Sequence, residues 1–172
     1  DYVPPKADPT GKKVTVVGAG PAGVACAYYL AQMGHGVEVL DMAEAPGGMM
    51  RWGIPSYRLP RNVIDTEVAV LETMGVTFEY GVEMGKDVTL AQLREQSDAV
   101  FLGLGCQMAS TMRCPGEDSD GVLSGIGFLD TVSKDETTSI GKRVMVVGGG
   151  NTAIDAARTA LRLGAEEVSI LY

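Results

Sequence analysis

The apolar positions of this chain fall into two alternating patterns, short β-branched runs and longer stretches of helical period. Lys13–Val17 (KVTVV) is a short apolar run that stops at Gly18-Ala19-Gly20, which predicts a buried strand. Pro21 stands where a helix can begin, because its φ is fixed and it has no N–H to leave unsatisfied. The pattern is helical from Ala22 to Met33 and ends at Gly34-His35-Gly36. Val37–Leu40 is the next expected strand, and residues 42–60 read as a long loop with three prolines and three glycines. Arg61 to Met74 carries Val63, Ile64, Val68 and Leu71 at helical spacing. A strand at Val76–Tyr80, a short helix at Val88–Gln96 and a buried strand at Asp98–Leu104 follow.

Residues 107–122 read as loop, and Ser124 caps an expected helix to Val132. Ser133 to Gly141 is a polar connector and the best domain boundary in the chain. The opening pattern then returns. Arg143–Val147 is a strand, Gly148-Gly149-Gly150 a turn, Asn151–Leu163 a helix and Val168–Tyr172 a strand. This alternation predicts an α/β fold with a Rossmann-like parallel sheet, followed by the truncated start of a second such domain. The expected organisation is a linker over 1–12, a first nucleotide-binding domain over 13–135 and a single βαβ unit over 142–172. About 30 residues cannot build a whole nucleotide domain, and a bare VSILY edge invites pairing with another chain. The expectation is therefore a fragment, or one part of a split enzyme.

Composition changes this picture little. The 172 residues are 45% hydrophobic and 21% charged, which suits a globular core. A net charge of -8 argues against a nucleic-acid partner. No apolar run reaches the roughly 20 residues that span a bilayer, so no membrane role is expected, and no signal peptide is evident. Three cysteines without CxxC spacing give no disulfide framework and no zinc motif, making a cytoplasmic location the default.

The chemistry lies in the glycines. Gly18, Gly20 and Gly23 form GxGxxG, with Ala19, Pro21 and Ala22 between them. Gly18 permits the tight turn, Gly20 lets backbone approach a diphosphate, and Gly23 lets helix pack closely on strand. The helix start then offers free N–H groups and a positive dipole end to the phosphates. Asp41 ends the second expected strand 18 residues beyond Gly23, where a carboxylate can take both ribose hydroxyls and repels a 2′-phosphate. The first site should thus hold FAD or NAD rather than NADP. Pro46-Gly47-Gly48 offers bare backbone to a further part of the same cofactor, and Arg51, Arg58 and Arg61 follow within a dozen residues, with a flexible, solvated basic loop as the bland alternative. Gly148, Gly149, Gly150, Asn151, Thr152 and Ala153 read GxGxxA, with Asn151 a favourable N-cap. Ala153 in the third position leans towards NADP.

Other residues attract less chemistry. Asp155 and Arg158 read as surface residues of the second helix, and Cys106 and Cys114 as plain small loop residues. Cys26 reads as core and His35 as part of a turn. Trp52 is either packing or a shield for a flavin. No Ser/His/Asp or metal-ligand constellation is present.

GAGPAG at 18–23, the block PGGMMRWGIPSYRLP at 46–60 and GGGNTAID at 148–155 together resemble the glutamate synthase small (beta) subunit family. The same module occurs in dihydropyrimidine dehydrogenase and in NADH-dependent ferredoxin:NADP oxidoreductases. The resemblance covers essentially the whole chain, and its 46–60 block is far more specific than either glycine motif. It implies an enzyme with FAD in the first domain and NADPH or NADH in the second, passing electrons to iron–sulfur clusters or a large partner subunit. By the same resemblance, Gly18–Gly23 hold the pyrophosphate and Asp41 the adenosine ribose. Gly48 and Met49 lie by the flavin, with Gly47 and Arg51 in the same block, and Arg58 contacts FAD. Val82 to Met84 approach the adenine, and Gly105 lies near the pyrophosphate. Two departures stand out: the family's cysteine-rich iron–sulfur segment, whose tail Asp1-Tyr2-Val3 resembles, and its C-terminal return segment are both missing. A non-catalytic dinucleotide-binding or docking fragment is the alternative reading. An NAD-dependent dehydrogenase is a third, opposed by the Pro-Gly-Gly loop and the second glycine turn.

Overall fold

The computed structural model describes residues 4–172, so Asp1-Tyr2-Val3, expected as the tail of a cysteine-rich segment, lie outside the described residues. Twelve elements follow one another in the described residues. They are β1 (Lys13–Val17), α1 (Pro21–Gln32), β2 (Gly36–Asp41), α2 (Met49–Trp52), α3 (Arg61–Thr73), β3 (Thr77–Tyr80), α4 (Leu90–Gln96), β4 (Ala99–Leu102), α5 (Gly125–Lys134), β5 (Arg143–Val147), α6 (Asn151–Arg162) and β6 (Glu167–Leu171). They form two compact units. Of the described residues, one comprises 4–51 and 60–105, the other 52–59 and 106–172.

The first unit is built on a four-stranded parallel sheet of order β3-β2-β1-β4. β1 is flanked by β2 and β4, with Val16 opposite both Val39 and Phe101. Its β-branched residues face helices on both sides, which is why Val14, Thr15, Val16 and Val17 are all buried. α1 contributes Ala27 and Ala31 to the core, and α3 contributes Ile64, Val68 and Leu71. Val63, also expected on that apolar face, lies outside it and is exposed. Because β1 is followed on one side by β2 and on the other by β4, the strand order reverses beside it. Sheets of this kind bind ligands at such a point, at the carboxyl ends of the strands.

The second unit has a parallel pair, β5 and β6, with Val144 opposite Val168. Val144, Val146 and Val168 pack towards Phe128 and Leu129 of α5 and Ala156 and Ala160 of α6. Met145 and Val147 alternate to the other face and are exposed.

Sequence periodicity places most elements within a residue or two. Two differences have plain physical causes. Residues 49–52 form one helical turn inside the expected loop, too short to show a period. The strand expected at 98–104 ends at Leu102, because the chain then turns through Gly103 against β1. Compactness also divides the chain differently from function as read in the sequence, since residues 52–59 and α5 group with the second glycine turn.

A polar tie fixes the start of the central strands. Asp98 accepts from Lys12 Nζ at 2.8 Å and from the Lys13 N–H at 2.9 Å, while its own N–H donates to the Lys13 carbonyl at 2.9 Å. The Lys12 hydrogen bond, helped by the Lys13 amide, holds the Asp98 carboxyl below the ordinary carboxylate range. A depressed folded value gives stability that is present above the unfolded carboxylate pKa of about 4 and is lost as pH falls through the folded value. Asp98→Asn should therefore lower the calorimetric Tm at pH 7, and the difference from wild type should vanish near pH 2. A deficit of the same size at both pH values would show that the charge is not the source.

Candidate functional site

The first glycine turn sits at the carboxyl end of β1. Gly18 has φ of +105°, a conformation that L side chains rarely adopt, and its N–H donates to the Leu40 carbonyl at 2.7 Å. Gly20 then serves as N-cap of α1 in extended conformation, with Pro21 in the first turn. No side chain caps this helix. By contrast, Thr89 caps α4 through a reciprocal capping box with Gln92, and Ser124 caps α5 through the Gly127 N–H. The first-turn N–H groups of α1 are thus left for another acceptor, beside the positive end of the helix dipole.

Glycine is required here by contact as well as by dihedral angle. A Cβ on Gly23 would stand 1.7 Å from the Gly18 carbonyl oxygen, and one on Gly18 would stand 2.3 Å from the Gly103 oxygen. Gly103 also donates its N–H to the Val17 carbonyl at 2.7 Å, closing the turn from the β4 side. By the family resemblance, the strand-end glycine near the pyrophosphate is Gly105, at the end of the FLGLG run. Gly105 is exposed with φ of +70°, whereas Gly103 makes the contact with the turn. The missed signal was the first glycine after an apolar strand.

The Pro-Gly-Gly loop folds onto the same turn. The Gly47 N–H donates to the Ala19 carbonyl at 2.8 Å, and a Cβ on Gly48 would stand 2.9 Å from the Gly20 Cα. Backbone from two separate loops thus lines one cradle that added side chains would fill. Asp41 joins it from the end of β2. Its Oδ2 accepts from the Ala19 N–H at 2.6 Å and its Oδ1 from the Ala43 N–H at 2.8 Å. Each carboxylate oxygen has a second lone pair, so these bonds orient Asp41 and leave it able to accept hydroxyls.

Arg51 does not sit on a solvated loop. Its buried guanidinium donates to the Pro46 carbonyl and pairs with Asp65 on α3, which anchors the Pro-Gly-Gly loop from behind. Arg61 donates to the Met50 carbonyl at 3.0 Å and steadies the same turn. Met49 opens α2 and is half-buried. Val82 and Met84 are half-buried against Val17, Leu40 and Leu93. The Val82 N–H donates to the Asp41 carbonyl at 3.0 Å, which holds this segment beside the carboxylate.

The second glycine turn repeats this geometry within its own unit. Gly148 has φ of +120° and donates its N–H to the Leu171 carbonyl at 2.7 Å. Gly150 is the extended N-cap of α6, and again no side chain caps the helix. Asn151 is therefore the first helical residue and not the cap the sequence suggested. Capping needs non-helical backbone at the capping position, and Gly150 supplies it. Thr152 and Ala153 complete the first turn, and the Tyr172 ring lies beside Gly149.

Two further expectations are corrected in this unit. Asp155 is buried, not solvated, and pairs with Arg58 at 2.5 Å. Arg58 is therefore engaged by an acid 97 residues away instead of lying on a free basic loop. Arg158 is exposed as expected, yet its guanidinium lies over the Tyr57 ring, 4.9 Å from the centroid. Trp52 is packed under Lys134, which lies 5.5 Å from its ring centroid.

The resolved pKa shifts among the described residues lead away from neutrality. Burial, then the nearby Glu72 charge, pushes the Tyr80 hydroxyl up to about 12. Burial also pushes the Cys26 thiol up. His35 is held in its turn by Thr10, whose Oγ1 lies 2.7 Å from Nδ1. Cys106 and Cys114 are exposed and free. Among the described residues no cluster of His, Cys, Asp or Glu could hold a metal ion, and no helix is long and apolar enough to cross a membrane. The chemistry on offer is the binding of dinucleotides.

Two parallel sheets, each with a glycine turn that launches an uncapped helix, define a Rossmann-like dinucleotide-binding α/β protein. The family model for pyridine nucleotide-disulphide oxidoreductase matches residues 12–172, and the chain belongs to that family of oxidoreductases. Among curated relatives, it is 45% identical over 166 residues to the beta subunit of an NADP(+)-dependent formate dehydrogenase from Moorella thermoacetica, covering 95% of this chain and 24% of that protein. It is 38% identical over 174 residues to the glutamate synthase [NADPH] small chain of Escherichia coli K12, covering 95% of this chain and 37% of that one. The chain thus spans about a quarter to a third of the length of these relatives. The structure of Mycobacterium tuberculosis FprA in complex with NADPH superposes with a TM-score of 0.80 at 26% identity, over 92% of this chain and 43% of that one. Lactococcus lactis thioredoxin reductase, at 21% identity and a TM-score of 0.64, shares the fold. The glutamate synthase small-subunit resemblance drawn from the motifs is borne out.

Gly23→Ala tests the first cradle directly. The added methyl cannot fit 1.7 Å from the Gly18 oxygen without moving α1 off β1. The expected cost is about 1–3 kcal/mol of stability by overpacking, with a roughly 100-fold loss of dinucleotide affinity. Denaturant unfolding and a binding titration check both. Wild-type affinity in the variant would show that the turn is not the seat.

Proposed function

We propose that the protein is a flavin-dependent pyridine-nucleotide oxidoreductase module, with FAD in the first cradle and NADPH or NADH in the second. The observation that carries the reading is the repeated geometry of the two turns. Gly18 and Gly148 share positive φ and a 2.7 Å N–H bond to the neighbouring strand, and Gly20 and Gly150 share the extended N-cap. Two seats of one design on one chain fit two dinucleotides better than one.

In this reading the open N–H groups after Gly20 bind the FAD diphosphate, and Asp41, held by Ala19 and Ala43, takes the adenosine ribose. Gly47 and Gly48 keep the wall of the cradle free of side chains, while Val82 and Met84 bound its adenine side. The flavin, when bound, accepts hydride from NAD(P)H and releases electrons one at a time. The chain's own contribution is to bind, orient and exclude water. The Gly148–Ala153 turn holds the nicotinamide dinucleotide. Electrons pass onward to iron–sulfur clusters or to a larger partner subunit, and the three free thiols suit a reducing cytoplasm.

The natural full-length protein should purify yellow, or take up one FAD per chain, and the flavin should bleach anaerobically on addition of NADPH or NADH. Protein that takes up no FAD would overturn the reading. Flavin-loaded protein that neither nucleotide bleaches would favour the alternative, a non-catalytic binding or docking module.

A further inference from the structure

Residues 52–59 are bounded in sequence by stretches of the first unit on both sides, yet they group with the second. Four of these eight side chains meet α5, the residues just after it, or α6. Trp52 lies under Lys134, and Ser56 donates to Glu136 at 3.3 Å. The Tyr57 ring faces two guanidinium groups, Arg162 at 3.8 Å and Arg158 at 4.9 Å from its centroid, and its hydroxyl lies 3.4 Å from Thr159 Oγ1. Arg58 donates from Nη1 to Asp155 Oδ2 at 2.5 Å.

Asp155 is the unusual member of this set. Its side chain is 5% exposed, and its Oδ1 is buried with no hydrogen-bond partner. A buried carboxylate needs compensation at both oxygens, and here one arginine compensates only one of them. A buried charge that depends on a single partner makes that partner's position a condition of the packing around it. The dependence also runs the other way. Arg58 is itself 40% exposed, and its guanidinium is held by Asp155, while its N–H bond to the Pro55 carbonyl at 2.9 Å holds the local turn.

We propose that Asp155 is a positioning residue that pins the Trp52–Leu59 segment to α6 through Arg58, with Tyr57 seated on Arg158 and Arg162 as the second point of attachment. This rests on the two-dinucleotide reading above. The segment follows Arg51, whose guanidinium anchors the Pro-Gly-Gly loop, directly in the chain. The same contact is made by the helix that the second glycine turn launches. Loosening Asp155 should therefore slow transfer between the two cofactors without emptying the first cradle.

The test uses the natural full-length protein and its Asp155→Asn, Asp155→Glu and Arg162→Ala variants. The first readout is hydrogen exchange of the Arg58 and Leu59 amides, both bonded to the Pro55 carbonyl, measured without added nucleotide. Exchange there should rise about tenfold in Asp155→Asn and recover towards wild type in Asp155→Glu, which restores the charge. The second readout is the rate of flavin reduction by NAD(P)H, which should fall about tenfold in Asp155→Asn while FAD affinity stays within threefold. Arg162→Ala, an exposed change with no burial penalty, should give a smaller rise in exchange at the same amides and keeps the test open if Asp155→Asn does not fold. Unchanged exchange in the variants, or faster exchange with unchanged reduction, overturns the inference. Wild-type protein that takes up no FAD would instead overturn the flavin reading, and the exchange measurement would still decide the docking.

Discussion

The close approach of three backbone segments at the end of β1 is the constraint on which the rest of the first unit depends. Gly18, Gly23 and Gly103 meet where no Cβ fits, so the first turn of α1 can lie directly against the strand that feeds it. That contact delivers the free N–H groups of an uncapped helix to the point where the sheet order reverses. Once it is made, Asp41 and the Pro-Gly-Gly loop have a fixed object to bond to, and both do so through Ala19. A turn of this kind is costly in itself, because it leaves donors without partners at a helix start. Its recurrence in one chain accords with the two proposed dinucleotides, which supply the missing acceptors.

The two units show how one local solution serves different surroundings. In the first, the strand feeding the turn is buried on both faces and the helix packs through small residues, Ala27 and Ala31. In the second, β5 has, among the described residues, only β6 beside it in its sheet, and α6 supplies Ala156 and Ala160 to a smaller core. The glycine dihedrals and the strand hydrogen bond are nonetheless the same. Local backbone geometry, not the size of the core, makes the seat.

Much of this was legible in the sequence. Glycine spacing, the β-branched runs before it and the apolar period after it fixed both turns, both helices and the parallel sheet, because each of these is a local property. Asp41 was legible for the same reason, being placed by its distance from Gly23. What escaped depended on partners far away in sequence. The pairing of Arg51 with Asp65 appears only once α3 brings the two together, and Asp155 looked solvated because its partner Arg58 lies 97 residues earlier. The turn at Met49–Trp52 escaped because four residues carry no period. Asn151 was misread as a cap because composition cannot say which residue of a Gly-Asn pair takes the extended conformation.

The central claim is that the open helix start after Gly20 seats a dinucleotide diphosphate, and the most direct measurement is a crystal structure of the protein grown with FAD. The account predicts diphosphate density within hydrogen-bond distance of the Ala22 and Gly23 amides, with the adenosine ribose on Asp41. Diphosphate density elsewhere, with the Gly18–Gly23 turn closed by protein side chains, would contradict it.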